Sequence, residues 1–170
     1  MHAPDSRQVY QAYVDALNMR AFHRMSEFVH DTVTVEGRTI ARADYVTAVE
    51  TLMAPLADFR WEVDELIADG DRLAARLTVS GTPTGPWLGT RPTGSAISTK
   101  EFAFYHFREG RIDTIHYLLD TSVLAHGSCG DAGPSQRPLP RPGTPGARLD
   151  ASAVPPPVTP AVQALRSSER

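Results

Sequence analysis

The chain has a single cysteine, Cys129, in 170 residues. One thiol can form neither an internal disulfide nor a thiolate metal cluster, and a cytoplasmic location is the expectation. No run of about 18 apolar residues occurs, so nothing is expected to span a membrane. The first residues, MHAPDSRQ, lack a basic stretch followed by an apolar one, and no secretory signal is expected. The net charge of −3 speaks against a general nucleic-acid binder. The six histidines show no metal-ligand spacing, and there is no phosphate loop and no nucleophile elbow.

What the chain does have is a stretch of aromatic and β-branched residues, 97–120, ISTKEFAFYHFREGRIDTIHYLLD. It is broken once, at Arg108-Glu109-Gly110, which is the pattern of a β-hairpin. Two registers are open. A two-residue loop, Glu109-Gly110, pairs Arg108 with Arg111. A three-residue loop with Gly110 left-handed in a bulge pairs Phe107 with Arg111. The bulged loop is favoured, because the other needs positive φ at Glu109. In that register Glu101 lies opposite Tyr117 and Ala103 opposite Ile115. Glu101, Ala103, Tyr105, Asp113, Ile115 and Tyr117 then share one face. Phe102, Phe104, His106, Ile112, Thr114, His116, Leu118 and Asp120 share the other.

Upstream, Asp5-Ser6-Arg7-Gln8 reads as a capping box, and Val9, Tyr13, Ala16 and Leu17 predict a helix over residues 6–18. A shorter helix should carry Phe22, Met25, Phe28 and Val29, followed by a strand at 31–36. A third helix carries the stripe Tyr45, Val49, Leu52, Met53 and Leu56, with Pro55 at its end. From Phe59 the period changes to two, through Trp61 and Val63. Asp69-Gly70-Asp71 marks a turn, residues 73–82 a strand, and residues 81–94 a loop holding Trp87 and Leu88. Beyond Gly127 the prolines multiply among Gly, Ala, Ser and Arg. Such a segment buries too little to offset its ordering entropy, so residues 128–170 are expected to be a disordered tail after a domain of residues 1–127. Helices followed by long strands give an α+β architecture, in which a curved sheet covered on one face encloses a cavity.

Three segments, YQAYVDALNMRAFHRMSEFVHDTVTVEG, IADGDRLAARLTVSGTPTGPWLGTRPTG and FYHFREGRIDTIHYLLD, resemble the SnoaL-like polyketide cyclases of the nuclear transport factor 2-like superfamily. The resemblance covers roughly residues 6–127. It implies a cone-shaped α+β barrel: three N-terminal helices on a strongly curved, mostly antiparallel sheet around an apolar pocket. It also implies a homodimer through the outer face of the sheet, and aldol ring closure without metal or organic cofactor. The family's acid/base Asp, seven residues after the hairpin glycine, corresponds to Tyr117. A His on the preceding strand corresponds to Ala103, and the His of a Gly-Thr-His-Thr-Gly loop to Pro83. Asp120 matches a second, more structural Asp. Glu36 lies near where the superfamily places a polar pocket residue.

Glu101 is the candidate base, since burial raises a carboxyl group's proton affinity into a useful range. Tyr117, or Tyr105 beside it, is the candidate donor to a developing oxyanion. Tyr13, Phe59, Trp61 and Trp87 are candidate pocket lining and equally ordinary core. His106 and His116, lower-ranked site candidates that enter the pocket only if the sheet bends or the register slips, fall on the outer face with Phe102 and Phe104, at the expected dimer interface. Asp120 is a lower-ranked acid/base candidate and otherwise caps a backbone or pairs with an arginine. The expected activity is cofactor-independent cyclisation or isomerisation of an apolar carbonyl compound in secondary metabolism. The alternative is a non-catalytic hydrophobic-ligand-binding or accessory dimeric module.

Overall fold

The computed structural model describes residues 5–92 and 94–125, and the expected proline-rich tail lies outside them. Helix α1 is Ser6–Asn18. The Asp5 carboxylate accepts the Arg7 backbone N–H at 3.1 Å, satisfying one of the orphan donors of the first turn. Tyr10, Tyr13, Val14 and Leu17 form its buried stripe. The second helix comes in two pieces, a 3-10 turn Phe22–Arg24 and a single turn α2, Met25–Phe28. Val29, expected on that helix, instead opens strand β1, Val29–Val35. Strand β2, Arg38–Ala41, has no counterpart in the sequence reading, because four mostly exposed residues show no burial period. Helix α3 is Arg42–Met53, with Leu56 buried just beyond its end.

The remaining strands are β3 (Arg60–Asp69), β4 (Arg72–Gly81), β5 (Ile97–Arg108) and β6 (Arg111–Leu119), followed by the short α4, Ser122–Ala125. The sheet order is β2-β1-β6-β5-β4-β3. All neighbours are antiparallel except β1 and β6. The sheet curls but does not close, so the expected α+β cone is an open one with β2 and β3 at its edges. The core lies between the helices and the inner face of the sheet, where Tyr10, Met25, Met53, Leu56, Leu73, Leu77 and Ile112 are fully buried.

The expected register of the β5–β6 hairpin is corrected. Arg108 pairs with Arg111 across a two-residue turn, with φ of 51° at Glu109 and 75° at Gly110. The penalty for a left-handed glutamate is accepted because a turn of this hand matches the strand twist. Asp113 is then bulged, since Phe107 pairs with Ile112 but His106 with Thr114. Turn and bulge together offset the strand by two residues from the expected register. Glu101 therefore lies opposite Leu119, not Tyr117, and Ala103 opposite Tyr117, not Ile115. An offset of two keeps every side chain beyond the bulge on its expected face. Within the bulge it does not: Ile112, expected outside, is fully buried. Asp113, expected inside, turns to the Arg108 guanidinium at 2.7 Å.

If the left-handed turn is the strained element, Glu109→Asn should stabilise the protein by about 0.5–1 kcal/mol. Urea unfolding of the two proteins checks this; a loss of stability would contradict the assigned turn.

Candidate functional site

The inner face of the sheet and helices α1 and α3 enclose a cavity of about 70 Å³. A single water needs roughly 10–15 Å³ of such space, so several waters or a slim organic ligand fit. All five tyrosines of the chain line it. Tyr10 and Tyr13 come from one stripe of α1, Tyr45 from α3, Tyr105 from β5 and Tyr117 from β6. Trp61 of β3 and Glu101 of β5 complete the polar lining, and Val35, Ile40, Val49, Leu52, Leu77 and Ile115 form much of the apolar wall. No Lys, Arg or His is among the described lining residues.

Glu101 is 9% exposed. Its partners directly across the two adjoining strands are Leu77 on β4 and Leu119 on β6, so no charged side chain stands directly opposite it. The Trp61 indole N–H donates to Oε2 at 3.0 Å. Burial disfavours the charged form and raises the carboxyl pKa to about 7, and the indole bond opposes this only in part. The phenols are arranged in pairs. Tyr10 and Tyr105 hydroxyls lie 3.4 Å apart, and those of Tyr13 and Tyr45 are in close hydrogen-bond contact. Burial pushes all four phenols up, Tyr45 to about 12, and the nearby Glu101 charge adds to the effect. At neutral pH they are hydrogen-bond donors and not bases. Tyr117 is half-buried at the wall.

Other sequence candidates fall elsewhere. Phe59 and Trp87 are buried behind the cavity wall: Phe59 stacks edge-on against Trp61 at 4.4 Å, and Trp87 donates its indole N–H to the Leu52 carbonyl at 2.9 Å. Glu36 sits in the β1–β2 turn, where its carboxylate accepts the Tyr117 backbone N–H at 2.6 Å. It therefore holds the strand that carries a lining residue. His106 and His116 lie on the outer face, beside Asp71 and Glu36 at 3.0 and 4.0 Å. Asp120 caps α4 through the Ser122 backbone N–H at 2.9 Å. Tyr10 was not singled out from the sequence, and Tyr45 was read only as part of a helical stripe, although each shares that stripe with another lining residue. Among the described residues no group of three or more His, Cys, Asp or Glu side chains is placed to hold a metal ion.

The sequence matches the family model for SnoaL-like polyketide cyclases over residues 7–126. Among solved structures, a SnoaL-like polyketide cyclase from Agrobacterium tumefaciens is 30% identical, with a TM-score of 0.68 over 74% of this chain and 98% of that one. AclR of Streptomyces galilaeus, a suggested hydroxylase, is 23% identical, with a TM-score of 0.62 over 74% of this chain and 96% of its own. IdmH of Streptomyces antibioticus shares the fold at 17% identity, with a TM-score of 0.66 over 72% of this chain and 97% of its own. No curated protein matches the chain significantly.

The raised proton affinity of Glu101 has a stability consequence. In the unfolded chain the carboxyl group ionises near 4.5, in the folded one near 7. The native state therefore holds more protons between these values, and stability falls as pH rises from about 4.5 to 7, then levels. Glu101→Gln removes this penalty while its amide oxygen can still accept the Trp61 bond. The variant should be more stable than the parent by up to roughly 3 kcal/mol at pH 8, with the gain vanishing near pH 4.5. Urea denaturation at the two pH values measures it; a gain independent of pH would contradict the burial of a titrating carboxyl group.

Proposed function

The chain belongs to the SnoaL-like polyketide cyclase family, and from that premise we propose that it catalyses cofactor-independent proton transfer on an apolar carbonyl compound, leading to ring closure or isomerisation. The observation that supports this is Glu101, a carboxyl group poised near neutrality in an apolar cavity beside several phenol donors. A base works best when its pKa lies near the working pH. Glu101 removes a proton from the carbon next to a carbonyl. The C–H electron pair moves into an enolate, and the charge on its oxygen accepts a hydrogen bond from Tyr117 or Tyr105. In ring closure the enolate carbon attacks a second carbonyl of the same molecule, and the new alkoxide takes the proton back from Glu101. In isomerisation the proton returns to a different carbon. Either way Glu101 ends as it began.

A second reading has its own support. Positions 103 and 117, where relatives carry His and Asp, hold Ala and Tyr here. The cavity would then bind an apolar ligand without chemistry, and saturable binding with no exchange or product would favour it.

The test needs no knowledge of the true substrate. Deuterium uptake at the α-carbon of a panel of apolar ketones and β-keto esters in D₂O reports enolisation directly. We expect Glu101→Gln to lower it at least about 100-fold and Tyr117→Phe by about 10- to 100-fold. The parent rate should fall about tenfold per pH unit below 7 and level above it. An exchange rate indifferent to Glu101→Gln would remove the proposal.

The outer face supports a homodimer. Ile67, Phe104 and Leu118 are 62%, 64% and 60% exposed on this face; Ile67 lies in line with Phe104 across Ala74, and Leu118 pairs with Phe102. A contiguous apolar patch of this kind is a liability unless covered, and a second copy covers it with the same residues. We expect a dimer by sedimentation velocity and a monomer for Phe104→Glu; a parent that sediments as a monomer would refute it.

A further inference from the structure

The polar group that touches the Glu101 carboxylate is itself held from two sides. Trp61 is the second residue of β3, close to the edge of the sheet. A tryptophan there can take several ring orientations unless something fixes it. Its backbone is gripped by Asn18, the last residue of α1. Asn18 Nδ2 donates to the Trp61 carbonyl at 2.8 Å, and Asn18 Oδ1 accepts the Trp61 N–H at 2.9 Å. One amide side chain thus satisfies both backbone groups of one residue, across 43 positions of sequence. The same end of α1 is fastened by Arg20, whose guanidinium donates to the Leu56 and Ala57 carbonyls at 2.8 and 3.1 Å. The ring is then held by Phe59 at 4.4 Å, itself stacked on Trp87. With backbone and ring both fixed, the indole N–H has one direction, and it meets Glu101 Oε2.

We infer that Asn18 is a positioning residue: by clamping the backbone of Trp61 it aims the indole N–H at Glu101 and so fixes which carboxyl oxygen faces the ligand. Oε2 is occupied by the indole, and Oε1 is the oxygen that takes the substrate proton. This rests on Glu101 being the base. Neither Asn18 nor its amide lines the cavity, so its effect is exerted through Trp61. The clamp also sets proton affinity. The indole bond favours the ionised carboxylate, so any loosening of it raises the carboxyl pKa further.

Titration of the Glu101 carboxyl carbon by ¹³C NMR tests this without substrate, the signal being assigned by its absence in Glu101→Gln. In the full chain, Trp61→Phe should raise the midpoint by about one pH unit, since a lost charge-assisted bond is worth at least a tenfold change in proton affinity. Asn18→Ala should move it in the same direction by a smaller amount. Asn18→Gln, which keeps donor and acceptor on a longer, neutral side chain, should fall between that variant and the parent. The exchange-rate profile of each variant should shift to higher pH by the same interval, which a merely destabilised fold would not do. If Asn18→Ala does not fold, Asn18→Gln carries the comparison. A Glu101 midpoint unchanged in folded Asn18 variants overturns the inference. A normal exchange rate in Glu101→Gln would instead sink the base assignment while leaving the titration shift intact.

Discussion

Burying one carboxyl group on the inner face of the sheet sets the terms for everything around it. Removing a carboxylate from water costs several kcal/mol even after relaxation. A single charge-assisted hydrogen bond returns about 1.5–3 kcal/mol. Trp61 supplies that bond, and no cation among the described lining residues supplies more. The deficit appears as a proton held up to about pH 7. Had a lysine or arginine stood across from Glu101, the group would be a fixed anion and useless as a neutral-pH proton carrier. Two leucines stand there instead.

Much of this architecture is legible in the sequence because it depends on parity and period. Residues two apart share a face of a strand, so Glu101, Ala103 and Tyr105 go inward whatever their partners are. The inward placement of Tyr117 survives an error in the turn because the error is an even number. What the sequence hides is compensation. The two-residue turn alone would have flipped β6, and the bulge at Asp113 flips it back; neither residue type announces that pairing. The cavity is legible in the same partial way. Tyr13, Trp61 and Tyr105 line it as expected, whereas Phe59 and Trp87 look identical to them in composition but stand one layer back. Aromatic residues at strand and loop positions fit a wall or its support equally well, and only the three-dimensional path of residues 81–92 decides. Asn18 escapes sequence reading altogether, since an asparagine ending a helix is ordinary and its contact lies on a distant strand.

The corrected register clarifies how this member departs from its family's pattern. Positions 103 and 117 are direct cross-strand partners. The resemblance sets these two positions against a His and an Asp, which as cross-strand partners could reach one atom. Here a tyrosine faces an alanine, a large side chain beside a small one, which keeps the volume of the pair without its charge. The carboxyl group stands instead at 101, one inward step along β5 from Ala103. A displacement of one inward position is about 7 Å along a strand. Glu101 thus faces the cavity from a different part of the wall than positions 103 and 117.

The phenols complete the argument, because their ordering before a ligand arrives decides what they can contribute. Tyr10 with Tyr105, and Tyr13 with Tyr45, already satisfy one another. A purely apolar ligand leaves those pairs intact and gains only the area it buries. Each pair shares one hydrogen bond between two hydroxyls, so a ligand carbonyl can accept a hydrogen bond from the remaining O–H without breaking the pair. Filling the cavity also expels the water near Glu101. Each water lost removes solvation from the carboxylate and makes it hold a proton more tightly. The proton affinity of Glu101 therefore rises further when the cavity holds a molecule large enough to exclude solvent.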